Sequence, residues 1–390
     1  MEQRDTEIAV VGGSAAGLFA AYLLARQHHQ VVVLEGAERF DPAPRALIAT
    51  HRFRELLGNL GDKAVVNEIH RFELHADGQV ATVTLRHPDV MVERATLLCA
   101  LADRATAAGA QLMLGHWVRS LEPHAAGITL HTQRTAKHEG RALRAGTVIG
   151  ADGAFSKVAR AAGWPPQPTL PLVQALVRLP ADLPSDTARV WFLPQDTPYF
   201  YWLLPLTPEA GVLGLIGEEG RRTRQCLLRF LARQGLQPLG FQGARVPLYR
   251  RWVPVRRQFG GGQVYLVGDA AAQVKVTTVG GLVTGLRGAL GVAEAIAQGG
   301  ASRELRALRR ELNLHRLTRG VLHRFSQRDY ASLLGLLHAG ARRSLGTYTR
   351  DEALRVLWRL CCQQPRLLLL ALRALLLGGS PAEPKRSAAE

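Results

Sequence analysis

Residues 7–35 read EIAVVGGSAAGLFAAYLLARQHHQVVVLE, and this stretch decides the fold. Glu7–Val11 is a short apolar run of the kind that a buried parallel strand requires. A turn of small residues, Gly12 to Gly17, follows at once, and Leu18–Arg26 is rich in Ala and Leu as a helix would be. A second apolar run, Val31–Leu34, ends at Glu35. Strand, glycine turn, helix, strand and acid, in that order, make the βαβ unit of a dinucleotide site. Gly12 permits the tight turn out of the strand, and Gly17 lets the helix pack close to the sheet. Ser14 stands at the middle glycine position and is small enough for backbone to approach phosphate. With Ala15 and Ala16 it opens a helix whose unpaired N–H groups and dipole favour a pyrophosphate. Glu35, 18 positions after Gly17, is spaced to accept hydrogen bonds from ribose hydroxyls. Taken alone, the turn also reads as an ordinary close contact between helix and sheet.

Two later stretches repeat the theme. Thr147–Ile149 is a strand leading into Gly150-Ala151-Asp152-Gly153 and then the helix-like Ser156–Arg160. Val264–Val267 leads into Gly268-Asp269-Ala270-Ala271, with Gly280-Gly281 and a helix from about Leu282 beyond it. A strand ending in Gly-Asp puts a carboxylate where open α/β sheets bind ligands. Asp269 is therefore placed to accept a ribityl hydroxyl, and backbone at Gly280 and Gly281 can approach a flat ring because no Cβ intervenes.

The order GxSxxG with its acid, then GADGxxSxVAR, then GDAA resembles the flavoprotein fold shared by aromatic hydroxylases, flavin halogenases and geranylgeranyl reductases. The segment GDAAAQVKVTTVGGL, residues 268–282, is most similar to the geranylgeranyl reductases, which read GDAAGQVKPTTGGGI there. Gln273-Val274-Lys275 and Thr277-Thr278 match, while Ala272, Val276 and Val279 depart. Tyr199–Pro205 (YFYWLLP) is similar to the YxWxFP element of the same family, with Phe200, Trp202, Leu204 and Pro205 on matching positions.

The resemblance implies FAD as cofactor and reduction of carbon–carbon double bonds in an isoprenoid chain by hydride from the flavin. Nicotinamide or ferredoxin are the candidate electron donors. It adds Asp152 and Arg94 to the cofactor contacts, and it puts Lys275, Gly280 and Gly281 near the reacting ring; a proton donor is not identified. Arg45 reads either as a contact to flavin or substrate or as an exposed loop arginine. Alternate residues of a strand share a face, so Phe200, Trp202 and Leu204 form either a wall for an isoprenoid chain or ordinary sheet core. Such a wall gains about 0.8 kcal/mol per buried CH₂. The cysteine that the reductases often carry after the first βαβ unit is missing from Asp41–Thr50, so no thiol stands there to protonate the product. Two other readings are a monooxygenase or halogenase acting on a hydrophobic substrate, and a flavin protein without catalysis, its ring crowded by Val276 and Val279. Lys63, in a polar turn, is no evident counterpart of the halogenase lysine.

The expected architecture is α/β. A Rossmann-like FAD domain spans 1–164, with a small sheet excursion, and resumes at 257–300 after an α+β substrate domain at 165–256. A helical region follows at 301–377 and a disordered tail at 378–390. The four cysteines, Cys99, Cys226, Cys361 and Cys362, form no CxxC pair or metal-ligand spacing, which argues for a reducing compartment and against a zinc site. The polar start, Met1–Thr6, lacks the apolar core of a signal peptide, so a cytoplasmic protein is expected. The net charge is +17, with only five lysines among 49 basic residues, which favours anionic surfaces. No RNA- or DNA-binding motif accompanies it, so nucleic acid is not an expected partner. Residues 354–377 are strongly apolar but interrupted by four arginines and Pro365. They read either as helix lying on the inner face of a membrane or as a lid on the substrate domain.

Overall fold

The computed structural model describes residues 3–134 and 140–377, so the expected disordered tail lies outside the described residues. The chain divides into two units. The first comprises Met1–Val65, Val92–Thr169 and Pro247–Asn313; the second comprises Val66–Met91, Leu170–Val246 and Leu314–Glu390.

The first unit is built on a largely parallel sheet. Its strands run in the order Arg256–Phe259, Gly262–Leu266, Gly140–Gly150, Gln3–Val11, Val31–Leu34, Gln111–Met113. All neighbours are parallel except the first pair, which is an antiparallel hairpin. Ile8, Ala9 and Val10 are buried and so is the whole of Val31–Leu34, because helices cover both faces of such a sheet. The helix Ala15–Ala25 packs on the sheet between Arg94–Ala107 and Leu282–Ala297. An antiparallel pair, His116–His124 and Gly127–Arg134, extends the sheet from Gly140–Gly150.

The second unit has a mostly antiparallel sheet in the order Pro238–Pro247, Thr169–Arg178, Ala210–Ile216, Tyr201–Pro205, Thr187–Trp191, Val65–Ala76, Gln79–Glu93. Thr187–Trp191 pairs in parallel with Arg71–His75. Residues 66–91 thereby group with the substrate-side sheet instead of forming an excursion of the cofactor domain, as the sequence reading has them. Period-2 alternation cannot say which sheet a strand joins; a parallel partner over a hundred residues away decides it. Helix Gly220–Arg233 covers one face of this sheet, burying Tyr201, Leu203, Leu213 and Leu215 against Leu227 and Phe230.

Five helices end the described chain: Arg303–Leu322, Gln327–Leu336, Ala339–Thr347, Ala353–Gln363 and Arg366–Leu377. The apolar stretch 354–377 is two helices, since Pro365 cannot donate to a continuing one. Their inner residues, Leu360, Leu370 and Ala374, join a core with Ala76, Ala81, Phe325 and Tyr330.

Candidate cofactor site

Register brings the strand ends of the first unit level: Val11 lies opposite Leu34 and Gly150, and Gly150 lies opposite Leu266. The four loops that follow therefore open on one edge, the carboxyl edge where parallel sheets take ligands. Gly12 has φ +104, and a Cβ there would stand 2.6 Å from Ala151 O, so the turn admits only glycine. A Cβ at Gly17 would collide with Gly12 O. Ser14 is in ordinary extended conformation and caps the helix, its hydroxyl accepting from Gly17 N at 3.2 Å. The middle position of the motif thus demands no glycine here, and serine secures the helix start. The Glu35 carboxylate accepts from Gly13 N at 2.7 Å and Ala37 N at 2.9 Å. An ionised carboxylate offers about four acceptor sites, so room is left for a diol. Gly13, passed over in the sequence, is what admits Glu35: a Cβ there would lie 2.9 Å from its Oε2.

Asp269, Arg45 and Arg94 come close enough for their charges to act on one another. Burial pushes the Asp269 carboxyl up to about 6, with the two arginines pulling it back. Burial and the neighbouring Arg94 lower Arg45, while Asp269 opposes them. Glu93, also missed in the sequence, fixes both arginines. It caps the helix that Arg94 begins, accepting from Ala95 N and Thr96 N, and it accepts from Arg45 N at 3.1 Å. Arg45 is half-buried in place of the exposed alternative, and its Nε is a buried donor without a hydrogen-bond partner.

Asp152 lies in the turn after the strand Gly140–Gly150. Its carboxylate accepts from Ser156 Oγ, Lys157 N and Val158 N, capping the short helix Lys157–Ala161. Most of its acceptor capacity is taken by its own turn.

The loop after Asp269 is tied down by Gln273, fully buried, whose Oε1 accepts from Gly268 N at 2.7 Å and whose carbonyl accepts from Thr284 Oγ1. Gly268 and Gly285 let this loop and the helix Leu282–Ala297 approach Ala16; a Cβ on Gly268 would stand 3.1 Å from that of Ala16. Lys275, buried, closes a turn with Gly280: its N donates to Gly280 O at 3.1 Å, and Val279 N donates to Lys275 O at 2.6 Å. A Cβ on Gly281 would come 3.3 Å from Asp269 Oδ1. Ala272 and Val279, which stand where the resembling family has glycine, have φ +51 and +52. Val276 packs with Tyr249, Leu308 and Leu312, so it fills core.

In the second unit, Phe200 and Trp202 meet edge to face at 6.1 Å, and Phe192 meets Phe200 at 6.2 Å. The strand's alternation turns Tyr201 and Leu203 into the core under the helix Gly220–Arg233, and Phe200, Trp202 and Leu204 stand outside that core. Pro205 ends the strand and its carbonyl accepts from Asn67 Nδ2 at 3.0 Å. Gly214, another residue the sequence reading passed over, makes room for the indole: a Cβ there would lie 2.5 Å from Trp202 Cζ2. Among the described residues no group of His, Cys, Asp and Glu could hold a metal ion.

The FAD binding domain family matches residues 5–305. A digeranylgeranylglycerophospholipid reductase of Methanopyrus kandleri is 31% identical over 308 residues, covering 72% of this chain and 78% of its own. A geranylgeranyl bacteriochlorophyll reductase-like protein from Thermoplasma acidophilum has a TM-score of 0.78 at 16% identity, over 96% of this chain and all of its own. The p-nitrophenol 4-monooxygenase of Pseudomonas putida has a TM-score of 0.64 at 20% identity, over 96% of this chain and 99% of its own. At these identities the two structural likenesses speak for the fold alone. The carboxyl-edge residues fit FAD: glycine turns clear of Cβ atoms, a carboxylate with acceptors to spare, and an orphaned arginine donor. The chain belongs to the geranylgeranyl reductase family of FAD-dependent oxidoreductases.

Proposed function

We propose that this protein reduces carbon–carbon double bonds of an isoprenoid chain carried by a prenyl lipid or prenyl diphosphate. The observation that carries the reading is the apolar row Phe200, Trp202 and Leu204, turned away from the core under the helix Gly220–Arg233. A hydrocarbon chain suits such a face because it asks for no hydrogen bonds. The name of the Methanopyrus kandleri relative, a reductase of a digeranylgeranyl lipid, supports it.

FAD, when bound, supplies the hydride. Each double bond reduced also takes one proton, and two electrons must return from a nicotinamide or ferredoxin-type donor. The chain's own residues bind and orient. The amides of Ser14, Ala15 and Ala16 at the start of the helix Ala15–Ala25 would hold the pyrophosphate. Glu35 accepts from the ribose, and Asp269 from the ribityl chain. Arg45 and Arg94 bring positive charge to that edge, and Gln273 holds the Lys275–Gly281 loop in register with it. The test is anaerobic incubation of the reduced protein with geranylgeranyl diphosphate and with unsaturated prenyl lipids, products weighed by mass spectrometry. A gain of two hydrogens per reduced bond is expected. An oxygenated product on admitting air, or no product, overturns the reading.

The same reading places the protein at a lipid surface. Leu354, Trp358, Leu368, Leu369, Leu372 and Leu376 are exposed on the last two helices, beside four arginines and no acid between 353 and 377. No helix among the described residues is long and apolar enough to cross a membrane. An apolar face fringed by arginine suits the headgroup region of an anionic bilayer. Sedimentation with phosphatidylglycerol vesicles should capture the protein, and Trp358→Ser with Leu372→Ser should release it; equal capture of both sinks the idea.

A further inference from the structure

Arg319 is 5% exposed, and its Nε and Nη2 have no hydrogen-bond partner. Among the described residues no carboxylate pairs with it; its electrostatic neighbours are the phenols of Tyr330 and Tyr199, which are neutral near pH 7. Its guanidinium lies 4.2 Å from the centre of the Tyr199 ring. One helical turn on, His323 stands edge-on to the same ring at 5.2 Å, and its Nε2 is also buried without a partner. Burial, with Arg319 and Arg324 adding to it, pulls His323 down to about 3, so it is neutral near pH 7. A buried cation without a counterion is strongly unfavourable, and a tyrosine face offsets only part of that.

We propose that Arg319, with His323 and Tyr199 beside it, holds the anionic head of the substrate as a phosphate or diphosphate oxyanion. The planar fork of Nε and Nη2 matches two oxygens of one phosphate. The position agrees with an amphipathic ligand. Tyr199 directly precedes Phe200 in the apolar row, and Tyr330 stacks at 4.6 Å on Phe192, the next ring to Phe200. Head and chain would therefore be read by adjoining parts of the second unit. The assignment rests on the isoprenoid reading above for its ligand but not for its test, which needs no turnover.

The experiment is thermal unfolding of the FAD-loaded protein at 150 mM salt, which screens the basic surface. Inorganic pyrophosphate, geranylgeranyl diphosphate and geranylgeraniol are added in turn. Geranylgeranyl diphosphate should raise the melting temperature, and Arg319→Met should remove that rise while leaving any rise from the uncharged alcohol. A rise with pyrophosphate as well marks the free anion as sufficient; a rise with the prenyl diphosphate alone marks the esterified head as the ligand. A rise of equal size in Arg319→Met, or none in the wild type, overturns the proposal. Should the methionine variant fail to fold, hydrogen exchange on the wild type decides: geranylgeranyl diphosphate must slow exchange in 315–330, and protection elsewhere only refutes the site. Binding through Arg319 without saturated product would leave this site standing and remove the reductase reading instead.

Discussion

Val279→Gly is expected to leave the protein about as stable as it is, although the same change at Val276 should damage it. Val279 has φ +52, where any residue with a Cβ is strained by about 1–2 kcal/mol, and a β-branched one at the upper end. Glycine removes that strain. Against it stand the freer unfolded chain, about 0.4–1 kcal/mol, and roughly 0.8 kcal/mol from losing half the burial of a valine. Val279 is only partly buried, and the terms cancel to within about 1 kcal/mol. Val276 is 3% exposed within the cluster of Tyr249, Leu308 and Leu312. There glycine loses the whole transfer term, leaves a cavity and loosens the unfolded chain, about 3–4 kcal/mol together. For a unit of this size 1 kcal/mol moves the melting temperature by about 2–4 °C. The two variants should thus differ by about 6–16 °C, measured by circular dichroism at one fixed FAD concentration. Equal losses in both would refute the strain argument, since they would mean that position 279 tolerates valine as readily as any other.

Two further outcomes follow from the carboxyl edge. Glu35→Gln keeps the shape but gives one of the two amides, Gly13 N or Ala37 N, an NH₂ to face in place of an oxygen. About 1.5–3 kcal/mol, or roughly 10- to 100-fold in FAD affinity, should be lost in a flavin fluorescence titration, and unchanged affinity would remove Glu35 from the site. Asp269 has a folded-state pKa of about 6, above its unfolded value, because of burial. Its contribution to stability is full below about pH 4 and is lost as pH rises through about 6. Melting curves of the apo protein between pH 4 and 7 should fall less steeply for Asp269→Asn than for wild type; parallel curves would mean that the carboxyl is well solvated.

What the sequence made legible was what local chemistry dictates. The βαβ unit at 7–35 announces itself because strand, turn and helix are contiguous and each glycine answers a short-range collision. The same holds for the strand ending in Gly268-Asp269. Residues that act across the chain stayed hidden. Gly13 matters only because Glu35 folds back onto it, Glu93 only because one carboxylate caps a helix and holds Arg45, and Gly214 only because an indole lies over it. The allotment of 66–91 failed to show for the same reason, since its partner at 187–191 is distant in sequence. Asp152 is a conspicuous acid in a glycine turn whose oxygens accept from its own helix, a local role its sequence position alone does not show.

Both units are stitched from segments that alternate along the chain, and this bears on how the protein is made. The strand Gln3–Val11 leaves the ribosome well before Gly262–Leu266, which completes its sheet and is made roughly 250 residues later. At ribosomal speeds of 5–20 residues per second that is a wait of roughly 13–50 s. For the part of it that follows residue 150, roughly 6–22 s at the same speeds, Ala142–Gly150 presents an unpaired parallel edge beside a helix apolar on every side. Production in a foreign host should depend on trigger-factor or Hsp70-type chaperones more than the size of either unit would suggest, and slowing translation should lengthen the exposure, not relieve it.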